Sequence, residues 1–320
     1  FTVSCAATGT GKSMINKQEL ELLRDALAIL EQGASGLPRF TPAVDVEQSA
    51  AVLAEVAERM QDNYPYFNPQ YAGQMLKPPH PVARIAYAMA LWVNPKNHAL
   101  DGGRASSALE KECITDLGRM FGWDKPLGHL TGGGTMANLE ALWVAGRLNP
   151  GKQVIASEQA HYTHSRLTDV LGITFTPVPV DTAGRMDVAA VEDLLAKGDV
   201  GTVVVTVGNT GLGAVDPLAD ILALRDRYEF RVHVDAAYGG YFGLARELGT
   251  DQKRHFDRLS EADSIVIDPH KHGLQPYGCG CVLFRDPAVG ALYKHDSPYT
   301  YFSSDEMHLG EITLECSRPG

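Results

Sequence analysis

The sequence predicts an α/β fold built on a largely parallel sheet covered on both faces, and three features carry that expectation. Short, apolar, β-branched runs such as 202–207 and 264–267 read as buried strands. From Leu130 onward such runs alternate with segments whose apolar residues recur at helical spacing. The 320 residues, 44% of them hydrophobic, are also enough to bury a large core, as one large domain or two smaller ones.

Apolar spacing predicts helices over 17–32 and 44–62, which stop near Gly33 and at the Asp62-Asn63-Tyr64-Pro65 turn signal. Residues 67–80, rich in proline, glycine and aromatics, predict a long loop of the kind that usually carries function. Helices follow at 82–93 and 107–121. The alternating part then reads helix 136–148, strand 153–156, helix 162–171, strand 174–178, helix 188–196, strand 202–207, helix 218–228 and strand 231–234. Strands 264–267 and 281–284 close the series. This organisation divides the chain into a leader and helical arm, 1–63, and a ligand-binding domain, 64–320. Ligands of such sheets sit beyond the carboxyl ends of the strands.

Twenty-eight basic against 39 acidic residues give a formal charge of −11, which argues against sequence-independent nucleic-acid binding and for a small-molecule partner. The five cysteines are odd in number and lack framework spacing, so a reducing, cytoplasmic setting is expected. No apolar run approaches the roughly 20 residues of a membrane helix, and the N-terminus lacks a signal-peptide profile. Starting at Phe1 and stopping on Arg318-Pro319-Gly320, the sequence reads like a fragment.

The most informative stretch is Asp268-Pro269-His270-Lys271, placed just past a strand. A lysine there, beside Gly273 and the glycine-rich Gly278-Cys279-Gly280-Cys281, suits close approach to a ligand. Upstream, strand 231–234 runs into Asp235-Ala236-Ala237. A lysine for a Schiff base and an aspartate for a pyridinium nitrogen are what a pyridoxal phosphate enzyme needs. Gly132-Gly133-Gly134-Thr135 opens a helix and offers free N–H groups to a phosphate, Gly134 and Thr135 foremost. His161 and His164 lie at i, i+3, with His161 placed to stack on a planar cofactor. No metal site is expected there or at Cys279-x-Cys281, whose spacing suits strand packing. In the loop after strand 202–207, Thr210 is the candidate to face the cofactor or its aspartate. Ala6 to Ser13 approaches a nucleotide-binding P-loop around Lys12, but Ala6 stands where the strict pattern has glycine and no full strand precedes it, so a chance match is expected.

With these residues in order, the chain resembles the group II pyridoxal phosphate-dependent amino-acid decarboxylases, the glutamate, aromatic-amino-acid and archaeal tyrosine/aspartate enzymes, from about Tyr64 to the end. The resemblance implies the aspartate aminotransferase-like type I fold, a C-terminal small domain that is truncated here, and a homodimer with its site at the subunit boundary. It implies that Lys271 forms the Schiff base, Asp235 pairs with the pyridinium, His161 stacks over the ring, Ala237 packs on it, and Thr210 and His270 lie close by. Tyr299 or Tyr301 would return a proton to Cα. Asn209, where the family usually has threonine, and His164 and Arg166 after His161 depart from the pattern. An aldehyde lyase resembling sphingosine-phosphate lyase uses much the same blocks and is the alternative, with a Lys12 hydrolase behind it.

Overall fold

The computed structural model describes residues 16–38, 43–68, 70–73, 75–98, 102–294 and 309–320. The chain divides into two compact units, Phe1–Val93 and Asn94–Gly320. Among its described residues the first holds three helices, α1 (Lys17–Gln32), α2 (Val46–Arg59) and α3 (Pro81–Val93). Asn16 and Asp45 start α1 and α2 as N-caps, each accepting a backbone N–H two or three residues on. An Arg84–Glu19 ion pair joins α3 to α1 within this unit.

The second unit is built on a seven-stranded sheet: β1 (Leu127–Thr131), β2 (Gln153–Ser157), β3 (Phe175–Val178), β4 (Val200–Thr206), β5 (Arg231–Asp235), β6 (Ser264–Ile267) and β7 (Gly280–Phe284). Their order across the sheet is β1-β7-β6-β5-β4-β2-β3. β6, β5, β4, β2 and β3 are parallel, and β7 runs antiparallel between β6 and β1. The expected mostly parallel α/β fold is therefore present. Every residue of β4 is buried, because both faces are covered. Val203 and Val205 enter the larger core with Val232, Val234, Ile265 and Ile267, while Val204 points to the other face with Leu142, Val154 and Leu167. That second face is covered by α5 (Gly134–Leu148), whose Ala137, Ala141 and Val144 pack on Val266 and Val282 of the neighbouring strands.

Two elements were not legible in advance. β1 reads Leu-Gly-His-Leu-Thr, an interrupted pattern; its Gly128 lies so near β7 that a Cβ would stand 2.5 Å from the Val282 carbonyl oxygen. His129 of β1 is buried with its Nε2 2.9 Å from Glu140 Oε2. The helix at Thr250–Phe256 carries almost no apolar stripe to read. The helix expected over 218–228 instead stops at Ala223 and tightens into a 3-10 turn, Leu224–Asp226. The remaining helices are Arg104–Met120 (α4), Thr163–Val170 (α6) and Val188–Leu195 (α7).

Buried carboxylates tie residues 309–320 to this frame. Glu110 of α4 accepts from Leu130 N (2.8 Å), Asn97 Nδ2 (2.6 Å) and Arg318 Nη1 (2.8 Å). Glu140 of α5 accepts from Thr313 Oγ1 (2.9 Å) and Leu314 N (3.1 Å). Removing one partner of a buried pair leaves a desolvated charge, whereas an exposed pair is already solvated. Arg318→Met should therefore lower the unfolding free energy by about 3 kcal/mol, and Arg254→Ala, which breaks the exposed pair with Asp220, by less than about 1 kcal/mol. Urea denaturation of the two variants measures the contrast.

Candidate active site

Sheet register brings the chemically distinctive loops to one edge. Ile267 pairs with Cys281 and Thr131 with Gly280, so β6 and β1 both end where β7 begins. β5 runs parallel to β6 and ends on Asp235 at that same edge. The Gly132-Gly133-Gly134 loop after β1, the His161 turn after β2, Asp235 and the 268–271 segment consequently all emerge on the carboxyl side of the parallel strands, as expected of this fold.

Asp235 is 5% exposed, so its carboxylate depends on protein donors. Oδ1 accepts the Ala237 N–H at 3.1 Å. Oδ2 lies 2.8 Å from His164 Nε2 and 3.4 Å from Asn138 Nδ2. Asn138 is oriented in turn by His233, whose Nε2 is 2.8 Å from Asn138 Oδ1 and whose Nδ1 is 2.9 Å from Ser264 Oγ. Burial alone would push the Asp235 carboxyl up, but the hydrogen bond and charge of His164, with Ala237 N–H and His233, outweigh it and hold the group well below the usual carboxylate range. Burial drives His233 down to about 3, so that imidazole is neutral and serves as a spacer in the network.

The second cluster surrounds Lys271. Its Nζ lies 2.8 Å from Asp268 Oδ2. Asp268 is buried, and its Oδ1 has no hydrogen-bond partner among the described residues. Burial pushes its carboxyl up, and the Lys271 ammonium and His270 pull it only partly back. His270 is buried, accepts the Cys279 N–H at Nδ1 (3.2 Å), and is driven down by that burial. Beside this cluster α5 begins on Gly133, which offers no side-chain cap and holds φ at 153°, a backbone that favours glycine. The first N–H groups of the helix, at Gly134 and Thr135, are thus left for an anion. A Cβ on Gly134 would stand 2.7 Å from Asp268 Oδ2, so glycine is what lets the helix start and this carboxylate adjoin.

His161 is half-buried, with Nδ1 2.9 Å from Thr163 Oγ1. Burial lowers its pKa against the opposing pull of Asp235, leaving a neutral ring at neutral pH. Thr210 is exposed, whereas the adjacent Asn209 is buried and uses Oδ1 to accept from Leu212 N (2.8 Å), which shapes the 207–215 loop. Tyr299, Tyr301 and the P-loop-like Lys12 lie outside the described residues. Asn138 carries no sequence signal of its own, and His164 stands out in sequence only for its i, i+3 spacing to His161 and as a departure from the family pattern, not as a partner of Asp235. One signal could have found His164: it shares the inward face of α6 with Leu167 and Thr168 and is fully buried there. Among the described residues no cluster of His, Cys, Asp or Glu could hold a metal ion.

These features fit a phosphorylated pyridine aldehyde, with an amine, an ionised carboxylate for a ring nitrogen and an anion-ready helix start at one sheet edge. They define the class as a pyridoxal phosphate enzyme of type I fold. Residues 139–318 match the model of the pyridoxal-dependent decarboxylase conserved domain. A Methanothermobacter thermautotrophicus protein named "Probable L-tyrosine/L-aspartate decarboxylase" is 32% identical over 78% of this chain and 68% of its own length. A protein of the same name from Methanoculleus marisnigri is 35% identical over 77% and 65%. Among solved structures, Oryza sativa TDC with PLP and tryptamine superposes with a TM-score of 0.76 at 18% identity, covering 97% of this chain and 73% of that one. The chain belongs to the pyridoxal-dependent decarboxylase family, and its cofactor is pyridoxal phosphate. It spans about two thirds of the length of these curated relatives.

Gly134→Ala should displace the Asp268 carboxylate from Lys271 and crowd the helix start. We expect pyridoxal phosphate affinity to fall about tenfold, the equivalent of one lost hydrogen bond to a charged group, while the melting temperature changes by no more than a few degrees. Equilibrium dialysis and thermal denaturation check the two.

Proposed function

We propose that this protein removes the α-carboxylate of an L-amino acid as carbon dioxide and releases the amine. The observation that carries this reading is the convergence of Lys271, the ionised Asp235 and the uncapped start of α5 at one sheet edge, in a chain of this family. When bound, pyridoxal phosphate supplies an electron sink for the pair released as the carboxylate departs. Lys271 is the residue to hold the cofactor's aldehyde carbon covalently, and Asp268 keeps its amine poised at 2.8 Å. Gly134 and Thr135 offer N–H groups to the phosphate, and Ala237, His270 and Thr210 complete the binding set. Asp235 holds a proton on the ring nitrogen. His161, neutral through burial, suits packing against the ring plane better than proton transfer, so its work is orientation. Tyr299 and Tyr301 are the sequence-based candidates to return a proton to Cα.

The protein is proposed to act as a homodimer, supported by apolar side chains left exposed on the N-terminal helices, among them Leu22, Ile29, Leu53, Val56 and Trp92. Cysteines 113, 279, 281 and 316 are free, which supports a reducing, cytoplasmic setting. No helix among the described residues is long and apolar enough to cross a membrane. The relatives' names point to tyrosine or aspartate as first substrates to test.

Borohydride reduction of the cofactor-loaded protein should label Lys271, and incubation with the common amino acids should release carbon dioxide and the matching amine from at least one of them. A label on another lysine would overturn the assignment, and an aldehyde fragment in place of carbon dioxide would make the chemistry that of a carbon–carbon lyase. Asp235→Asn should keep the Lys271 label yet lower kcat at least about a hundredfold, because the lost charge acts mainly as electrons move toward the ring. Steady-state kinetics of a variant verified as folded and cofactor-loaded measures this.

A further inference from the structure

His164 is fully buried on the first turn of α6, on the face it shares with Leu167 and Thr168. Packing alone does not account for a polar ring there. Ionised Asp235 only accepts, so the 2.8 Å contact requires the proton on His164 Nε2. The other nitrogen, Nδ1, is buried with no hydrogen-bond partner among the described residues. Leaving such an atom unsatisfied is unfavourable, and an apolar side chain at 164 would avoid that cost. The ring directs its one hydrogen bond among the described residues to the carboxylate, which offsets the penalty only if that bond matters. The other donors to Asp235 do not replace it: Ala237 N–H occupies Oδ1, and Asn138 Nδ2 stands at the long distance of 3.4 Å. The charged and titratable groups facing this pair are His161 on the same turn, His233 on β5, and Asp268 and Lys271 after β6. None of them lies within hydrogen-bonding distance of Asp235.

We propose that His164 is a positioning residue that keeps Asp235 ionised and aimed for the ring nitrogen of pyridoxal phosphate. This rests on the functional reading above but concerns a different residue, one that touches Asp235 and not the reacting atoms. The neighbouring Asn138–His233–Ser264 chain reaches the carboxylate from the α5 side at 3.4 Å, and His164 holds it from the α6 side at 2.8 Å.

The test compares His164→Met, close in volume but without a donor, with His164→Gln, whose amide can restore the N–H, each alone and combined with Asp235→Asn. The readout is the dissociation constant of pyridoxal phosphate, with thermal denaturation as a check on folding. His164→Met should weaken binding about tenfold or more, His164→Gln should stay within about threefold of wild type, and His164→Met should add nothing in the Asp235→Asn background. Wild-type affinity in His164→Met would overturn the proposal. So would equal losses in the Met and Gln variants, or a full further loss beside Asp235→Asn, since each marks a role in packing alone. If His164→Met does not fold, nitrogen NMR of the wild-type imidazole decides: a proton on Nε2 at pH 7 supports the pairing, and an Nε2 without a proton contradicts it. Failure of the functional reading is separate, because it appears as the absence of a borohydride label on Lys271 in the wild-type protein.

Discussion

The site is organised by the cost of keeping one carboxylate charged inside the protein. Asp235 closes a central strand of a sheet covered on both faces, where water cannot solvate it. An isolated ion in such surroundings costs several kcal/mol and would normally neutralise instead. The fold prevents this with donors drawn from three places: the Ala237 backbone, His164 on α6 and Asn138 on α5. Through His233 and Ser264 the same hydrogen-bonded chain reaches β6, the strand that leads into Asp268 and Lys271. A single polar network thus couples the helices on one face of the sheet to the strands beneath them.

The opposite electrostatic choice is made at Asp268. That carboxylate is also buried, but its partner is the lysine amine and one oxygen has no donor among the described residues, so burial prevails and the group stays easier to protonate. Two aspartates at the ends of adjacent strands are pushed apart by their surroundings, Asp235 held below the usual carboxylate range by its donors and Asp268 raised by burial. The helix start at Gly133-Gly134 adjoins Asp268, where an incoming phosphate would compete for the same positive environment.

Much of this was legible in the residues. β4 and β6 are short β-branched runs, and their place on a parallel sheet followed from the helices between them. Asp235 was visible because it closes such a run, and Lys271 because it follows one after Asp268-Pro269-His270. β1 was hidden because Gly128 and His129 break its pattern for reasons that exist only in three dimensions, a close backbone approach to Val282 and a partner, Glu140, on another element. His164 was noticed as a departure, but its partner lies across the fold at Asp235, and sequence spacing carries no trace of that contact. Thr210 is read from its loop and from the resemblance; it is exposed beside the buried Asn209, whose Oδ1 accepts from Leu212 N and shapes that loop.

The central claim is that Asp235 remains an anion in the interior and holds the proton on the cofactor's ring nitrogen. The most direct measurement is the nitrogen-15 NMR shift of ring-labelled pyridoxal phosphate bound to the protein, followed from pH 6 to pH 9. The account predicts a protonated ring nitrogen throughout that range in the wild-type protein, and its loss when Asp235 is replaced by alanine. A ring nitrogen that is unprotonated at neutral pH, or that keeps its proton in the alanine variant, would contradict it.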